Sequence, residues 1–300
     1  MQRKIEGRRS AGRNSFDQNG SEQRFQSGVA ENIGVSQGTV SLTVKYVAKK
    51  ITEKAAVWIK FPSTIQEIDA AKNQWLEKYK FPTAIGALDC TQVKIKKVGI
   101  QRHGGDMRAY ICRKGFASIN VQATCDANEV FKSVSAEWPG SVHDSRIWRN
   151  SATCRTLRRF DNAILRADQG YGIENCVMTP FVNPQTPEQL AYNNLFKRER
   201  VVIERYFGQL KQRFPILQNI VRLSLASVPT IIIACFILHN VAKFFMMMHD
   251  DALDDVDDNE NNENDGECGE TEANEDDINN FRLLGQNKRN RLAELIYSRL

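Results

Sequence analysis

The chain has 300 residues, enough for one large domain with an appendage or two modest domains, and its 41% hydrophobic and 26% charged composition is that of a soluble globular protein. Its net charge of +5 hides an asymmetry: Asp250 to Asp277 holds 15 acidic and no basic residues, whereas residues 1–248 hold 36 basic against 20 acidic ones. Seven scattered cysteines without a C-x-x-C pair exclude a zinc ribbon and a disulfide framework, and the polar MQRKIEGRRSAGRNSFDQNGSE start excludes a signal peptide.

Residues 1–24, rich in Arg, Ser, Gly and Asn, are expected to be disordered. Residues 25–81 are expected to be helical and partly helix-turn-helix-like. A short helix ends near Asn32, Gly34 permits a turn, and Ser36 caps a second helix from Gln37. Such a pair suits DNA reading, and an ordinary helical hairpin gives the same pattern. Pro62 and Pro82 bracket a further helix capped by Ser63 or Thr64.

From residue 82 to 248 the pattern changes to strands and helices. AIGALDCTQVKI, FASINVQATCD and VFKSVSAEW are rich in β-branched and apolar residues and predict three strands, the last two joined by the hairpin turn DANE. SVHDSRIWRNSATCRTLRRF predicts one or two short helices, NAILRAD a fourth strand and CVMTPF a fifth. Pro187 starts a long helix to about Phe214, with Glu188 in its first turn, and Ser227 and Pro229 start another that ends near Met248. This last stretch is long enough to span a bilayer, but His239, Asn240 and Lys243 interrupt it and a buried helix is expected. Residues 249–281 form an acidic tract expected to be disordered, and 282–300 a tail with a short helix. The β-β-β-α-β order predicts an α/β fold, a mixed sheet flanked by helices of the RNase H-like kind.

Four carboxylates stand in apolar or structured settings: Asp89 in the first strand, Asp144 after WPGSVH, Asp168 at the end of the fourth strand and Glu204 in the long helix. Acidic side chains on core elements call for pairing or a cation. The first and fourth strands of such a sheet are neighbours, so Asp89 and Asp168 meet, and the helix brings an acid beside them. Close carboxylates repel one another, which hard divalent cations such as Mg²⁺ relieve, and two such ions suit phosphodiester hydrolysis. Periodicity leaves Glu199 and Glu204 open, with Gly208 one turn on favouring Glu204 mildly; Asp144 is open between a helix cap and a metal ligand. The basic body favours a nucleic-acid partner, with Arg113, Lys114, Arg200, Arg205 and Lys211 as candidate phosphate contacts and a solvated basic face as the alternative. His239 is expected to be a packing histidine, and Trp148 and Tyr171 core residues.

In order along the chain, GALDCTQVKI, RKGFASINVQATCD, WPGSVHDSRIW, RADQGY, RERVVIERYFGQLKQRF and ACFILHN resemble the PIF/Harbinger superfamily of DDE transposases over residues 30–248. The resemblance implies an RNase H-like nuclease core with Asp89, Asp168 and Glu204 as the catalytic triad and Asp144 as a further metal-site acid. It implies Mg²⁺ or Mn²⁺ as cofactor, DNA as substrate, a separate Myb-like DNA-binding partner, and a nuclear location with the cytoplasm as a second. Ala167 and Gln169 depart from the family's Gly and Ser around Asp168 without removing a ligand. The alternative is a catalytically silent DNA-binding or protein-interaction module of transposase descent, and a third reading is cleavage of RNA.

Overall fold

The computed structural model describes residues 28–96, 107–251 and 275–299. It comprises two units, residues 1–44 and 45–300. In the first, helix α1 (28–33) ends at Gly34, whose φ of +68° suits glycine, and the Ser36 hydroxyl accepts the Thr39 N–H at 3.1 Å to start α2 (Gln37–Thr52). The helix, turn and cap thus fall where the sequence puts them. The expectations of disorder for residues 1–24 and for most of the acidic tract lie outside the described residues.

The second unit is built on a five-stranded mixed sheet in the order β3-β2-β1-β4-β5, with β1 Ala84–Lys94, β2 Ser118–Cys125, β3 Phe131–Pro139, β4 Ile164–Arg166 and β5 Val177–Met178. β1, β2 and β3 pair antiparallel; β1–β4 and β4–β5 pair parallel. The expected neighbourhood of the first and fourth strands is therefore present.

Each face of the sheet carries its own helices. Ala87 and Val93 of β1 and Val121 and Ala123 of β2 join a cluster with Ile203, Phe207 and Leu210 of α7 (Pro187–Arg213) and Phe236 of α8 (Val228–Asp251). Ile85, Leu88 and Leu165 point the other way, against Trp148 of α5 (Asp144–Arg149) and Leu157 of α6 (Ala152–Leu157). Burying each such aliphatic or aromatic side chain contributes about 1.5–3 kcal/mol. From Ala87 onward the faces of β1 alternate with the two-residue period of a strand, whereas Ile85 and Ala87 face opposite ways because the register with β4 shifts between Ala84 and Gly86.

The helix starts are locally encoded. A one-turn helix α3 (Ala55–Trp58) precedes α4 (Ile65–Tyr79), where Thr64 and Glu67 form a reciprocal capping box. Thr186 caps α7, with Pro187 at its first position. α8 is long and apolar enough to cross a membrane by length and composition alone, yet Ile232, Phe236, His239 and Asn240 are buried in the protein. Asn240 bonds both the N–H (3.0 Å) and the C=O (2.8 Å) of Phe131 on β3, which explains an amide in so apolar a helix.

The C-terminal region departs from expectation. Helix α9 runs from Glu275 to Tyr297, beginning inside the acidic tract and far longer than the short tail helix foreseen. It docks on the domain through buried Leu292, Ala293 and Ile296, and Lys288 donates to the carbonyls of Asp161 (2.6 Å) and Asn175 (2.9 Å). The driving force is this apolar stripe, which the adjacent run of charge obscured in the sequence.

Candidate active site

Asp89 lies midway along β1, opposite Ala123 of β2. It shares the α7-facing side of the strand with Ala87 and Val93. Its Oδ1 accepts the Cys90 N–H at 2.7 Å. Asp168 lies two residues past the end of β4, and its Oδ1 accepts the Gly170 N–H at 2.9 Å, starting the 3-10 turn Gln169–Tyr171. A Cβ at residue 170 would come within 3.0 Å of that oxygen, so glycine lets the turn close on the carboxylate. Asp89 and Asp168 line one small cleft of about 20 Å³ together with Phe196 and Ile203 of α7, room for a single ion or water.

Glu204 stands on α7 between buried Ile203 and Phe207, with its side chain exposed. A Cβ on Gly208, one turn later, would meet no atom within 4 Å, so the approach to Glu204 over this turn is open. The side chain of Glu199 lies outside the description.

Asp144 comes from the opposite face. His143, not Asp144, caps α5: its Nδ1 accepts the Ser145 N–H at 3.4 Å. The cap reading of Asp144 is thus corrected by one residue. A β/extended backbone at His143 puts the helix boundary there, and Asp144 becomes the first helical residue, where a negative charge is favoured. Asp144 Oδ1 instead accepts the Asn120 amide at 2.8 Å.

Although the acids divide between two faces, the other three act on Asp89. Burial and the charges of Asp168, Asp144 and Glu204 push the Asp89 carboxyl from its ordinary 3.8 up to about 7, against the opposing hydrogen bond from Cys90. Among the described residues no group of three acids, histidines or cysteines stands close enough to form a ready-made metal cage. The donor set nonetheless fits a hard cation of the Mg²⁺ type, which binds through one or two carboxylates plus substrate oxygens and water. Asp89 and Asp168 supply two such carboxylates on one cleft, each held through its Oδ1 by a backbone N–H.

The basic candidates divide as well. Arg113 and Lys114 are exposed beside Asp144. Arg205 pairs with Glu129 at 2.8 Å, and Lys211 is half-buried, donating to Thr91 Oγ1 at 2.6 Å. These two engage the protein itself, because α7 lies against the sheet with the strand and hairpin acceptors in reach. The Arg200 side chain lies outside the description. His239 is buried against Phe131, its ring centroid 5.5 Å away, and burial and Arg213 lower its pKa to about 4. Trp148 and Tyr171 are fully buried core residues.

One set of polar groups near the site escaped the sequence reading. Ser118, Asn120, Gln122 and Thr124 alternate along β2 and are all buried, forming a polar stripe on the α5 face. Gln122 Nε2 lies 3.4 Å from the Tyr171 hydroxyl, which itself donates to Cys90 Sγ at 3.1 Å. The signal was present: strict alternation in S-I-N-V-Q-A-T-C on a strand buried on both sides puts amides where a core wants apolar groups.

The fold and site define an α/β protein with two aspartates on one cleft of a mixed sheet, a glutamate on the helix that lines the cleft and a further aspartate on the far face. Residues 88–240 match the sequence profile of the DDE superfamily endonuclease family. The chain belongs to that family. It is 30% identical over 223 residues to the human protein named "Putative nuclease HARBI1" and to its cattle counterpart, covering 73% of this chain and 62% of each of those proteins. It is 24% identical over 244 residues to "Protein ALP1-like" of Arabidopsis thaliana, covering 76% of this chain and 58% of that one. The PIF/Harbinger resemblance read from the motifs is therefore sound, and the descent is that of a nuclease. The chain spans about three fifths of the length of these curated relatives. No solved structure matches.

Proposed function

We propose that the protein is a divalent-metal-dependent nuclease that hydrolyses DNA phosphodiester bonds with Asp89, Asp168 and Glu204, on an RNase H-like core. The observation that carries this reading is that Asp89 of β1 and Asp168, just past the parallel neighbour β4, line one cleft together with Phe196 and Ile203 of α7, the helix that carries Glu204. A structural core gains nothing from such acids, since each raises the cost of ionising the next. The 3-2-1-4-5 strand order supports the RNase H-like assignment.

A divalent cation held by Asp89 and Asp168 would neutralise charge at the scissile phosphate and lower the pKa of attacking water. The chain's own part is positional. The Cys90 and Gly170 N–H groups fix one oxygen of each aspartate, so both carboxylates are held with little freedom. Glu204, exposed and one turn before Gly208, is placed to take the proton of the incoming water. Arg113 and Lys114 give exposed positive charge for backbone phosphates next to Asp144. A DNA substrate places the protein's work in the nucleus.

The test is incubation of purified protein with Mg²⁺ or Mn²⁺ and a DNA duplex, alongside Asp168→Ala. Cleavage by the native chain alone, with DNA affinity retained in the variant, is the expected result. Binding without cleavage under every metal condition would leave a DNA-binding module of nuclease descent instead.

A further inference from the structure

On the α5 side of the sheet, beside Asp144, lies a second and larger cavity of about 200 Å³. Its mouth carries the exposed residues Arg113, Lys114, Ser141 and His143, and its floor is Asn120, which is 1% exposed. The Asn120 Nδ2 donates to the Val142 carbonyl at 2.9 Å and to Asp144 Oδ1 at 2.8 Å. Those two acceptors fix which way the amide points. They leave Asn120 Oδ1 buried with no protein hydrogen-bond partner among the described residues.

A buried acceptor without a partner is costly, and one on a cavity floor is a recognition element waiting for a donor. The donor itself carries no negative charge, because Oδ1 and the Asp144 carboxylate both repel it there. A neutral N–H or O–H on a group small enough for the cavity meets that condition without introducing a buried charge. The rim has the opposite character. Arg113 and Lys114, both exposed there, favour an anion. Neutral donors inside and anions at the rim describe a nucleotide: amino or imino groups of a base below, phosphates above. A base stacked in a duplex cannot reach a concave floor, whereas an unpaired one can leave the helix and enter.

We propose that this cavity receives one unpaired nucleotide of the substrate strand, its base N–H on Asn120 Oδ1 and its phosphate against Lys114 and Arg113. The inference rests on the nuclease reading above and adds to it a preference for DNA that carries an unpaired nucleotide.

The experiment measures binding of two labelled duplexes to the full chain in the presence of EDTA, one flush and one with a single bulged 2-aminopurine. The native chain is expected to bind the bulged duplex about tenfold more tightly and to change its 2-aminopurine emission. Ser141→Trp, an exposed position whose new ring fills the mouth, is expected to erase the ratio. Arg113→Glu, read the same way, keeps the test alive if the tryptophan variant does not fold. Equal binding of both duplexes by the native chain, or a bulge preference that survives both variants, overturns the cavity assignment while leaving cleavage of flush DNA untouched. Failure to bind either duplex in EDTA, together with failure to cut either once Mg²⁺ or Mn²⁺ is supplied, overturns the nuclease reading itself.

Discussion

Lys211 Nζ donates to Thr91 Oγ1 at 2.6 Å, tying the helix that carries Glu204 to the strand that carries Asp89. The tie falls two residues beyond Asp89 and two helical turns beyond Glu204, so it fixes the spacing of strand and helix across the cleft. Lys211→Met is expected to lower the cleavage rate about tenfold by loosening this spacing. Because Met keeps the aliphatic stem, stability should fall only by about 1 kcal/mol. Single-turnover cleavage, with Lys211→Arg as the conservative rescue, checks it. A variant that loses DNA affinity but keeps its single-turnover rate would show that Lys211 holds phosphate instead.

Asp89 gives a pH signature. Its carboxyl titrates at about 7 in the folded chain against an ordinary 3.8, so between these values the folded state binds more protons than the unfolded one. Stability of the metal-free protein therefore falls as pH rises through this window and is restored as pH falls. Asp89→Asn removes the charge and is expected to raise stability at about pH 8 by about 2 kcal/mol, with the gain shrinking towards about pH 5. Denaturant melts in EDTA at the two pH values measure this. The same variant should abolish cleavage, since stability and activity here pull in opposite directions. An unchanged melt at the higher pH would mean that Asp89 carries no such repulsion.

Much of this arrangement was legible in the chain because local rules set it. The Thr64, Ser36 and Pro187 helix starts, the neighbouring first and fourth strands and the Gly170 turn all rest on residues whose conformational preferences act within a few positions. What was not legible depends on packing across the fold. Arg205 and Lys211 read as a DNA-facing stripe because sequence gives no hint that Glu129 and Thr91 lie within reach, 76 and 120 positions away. Asp144 stayed open between a helix cap and a metal ligand, since only the sheet reveals that it enters from the far face. The depth of α9 was hidden by the acid run before it, which makes a docking helix resemble a solvated tail.

Glu174 offers a structural control remote from the cleft. It is buried, and its two oxygens pair with Arg149 at 3.3 Å and Arg158 at 2.8 Å, joining α5 and the end of α6 to the loop before β5. Removing one member of a buried network leaves the others uncompensated, so Glu174→Ala is expected to cost about 3 kcal/mol. Arg149 and Arg158 are partly exposed, and water will rescue some of this. Thermal melts give the number, and the cleavage rate per folded molecule should be unchanged. A large rate loss without destabilisation would bring Glu174 into the functional machinery.

The position of Asp144 separates two roles that the sequence merged. Asp89 and Asp168 share a cleft on the α7 side, whereas Asp144 lies on the α5 side, held by Asn120 and bordering the larger cavity. If the cation sits on the first pair, Mn²⁺ should stabilise the native chain and Asp144→Asn alike, and fail to stabilise Asp168→Asn. Ligand-linked stabilisation rises with the logarithm of metal concentration, so a titration followed by thermal melts resolves the three proteins. Affinity should also strengthen as pH rises through about 7, because the cation displaces the Asp89 proton. Asp144→Asn keeps its shape and place but loses the charge that Asn120 positions, so it is expected to cut more slowly, about tenfold, without losing metal. Loss of the Mn²⁺ stabilisation in Asp144→Asn would instead place the ion between the two faces, with Asp144 as a ligand in its own right.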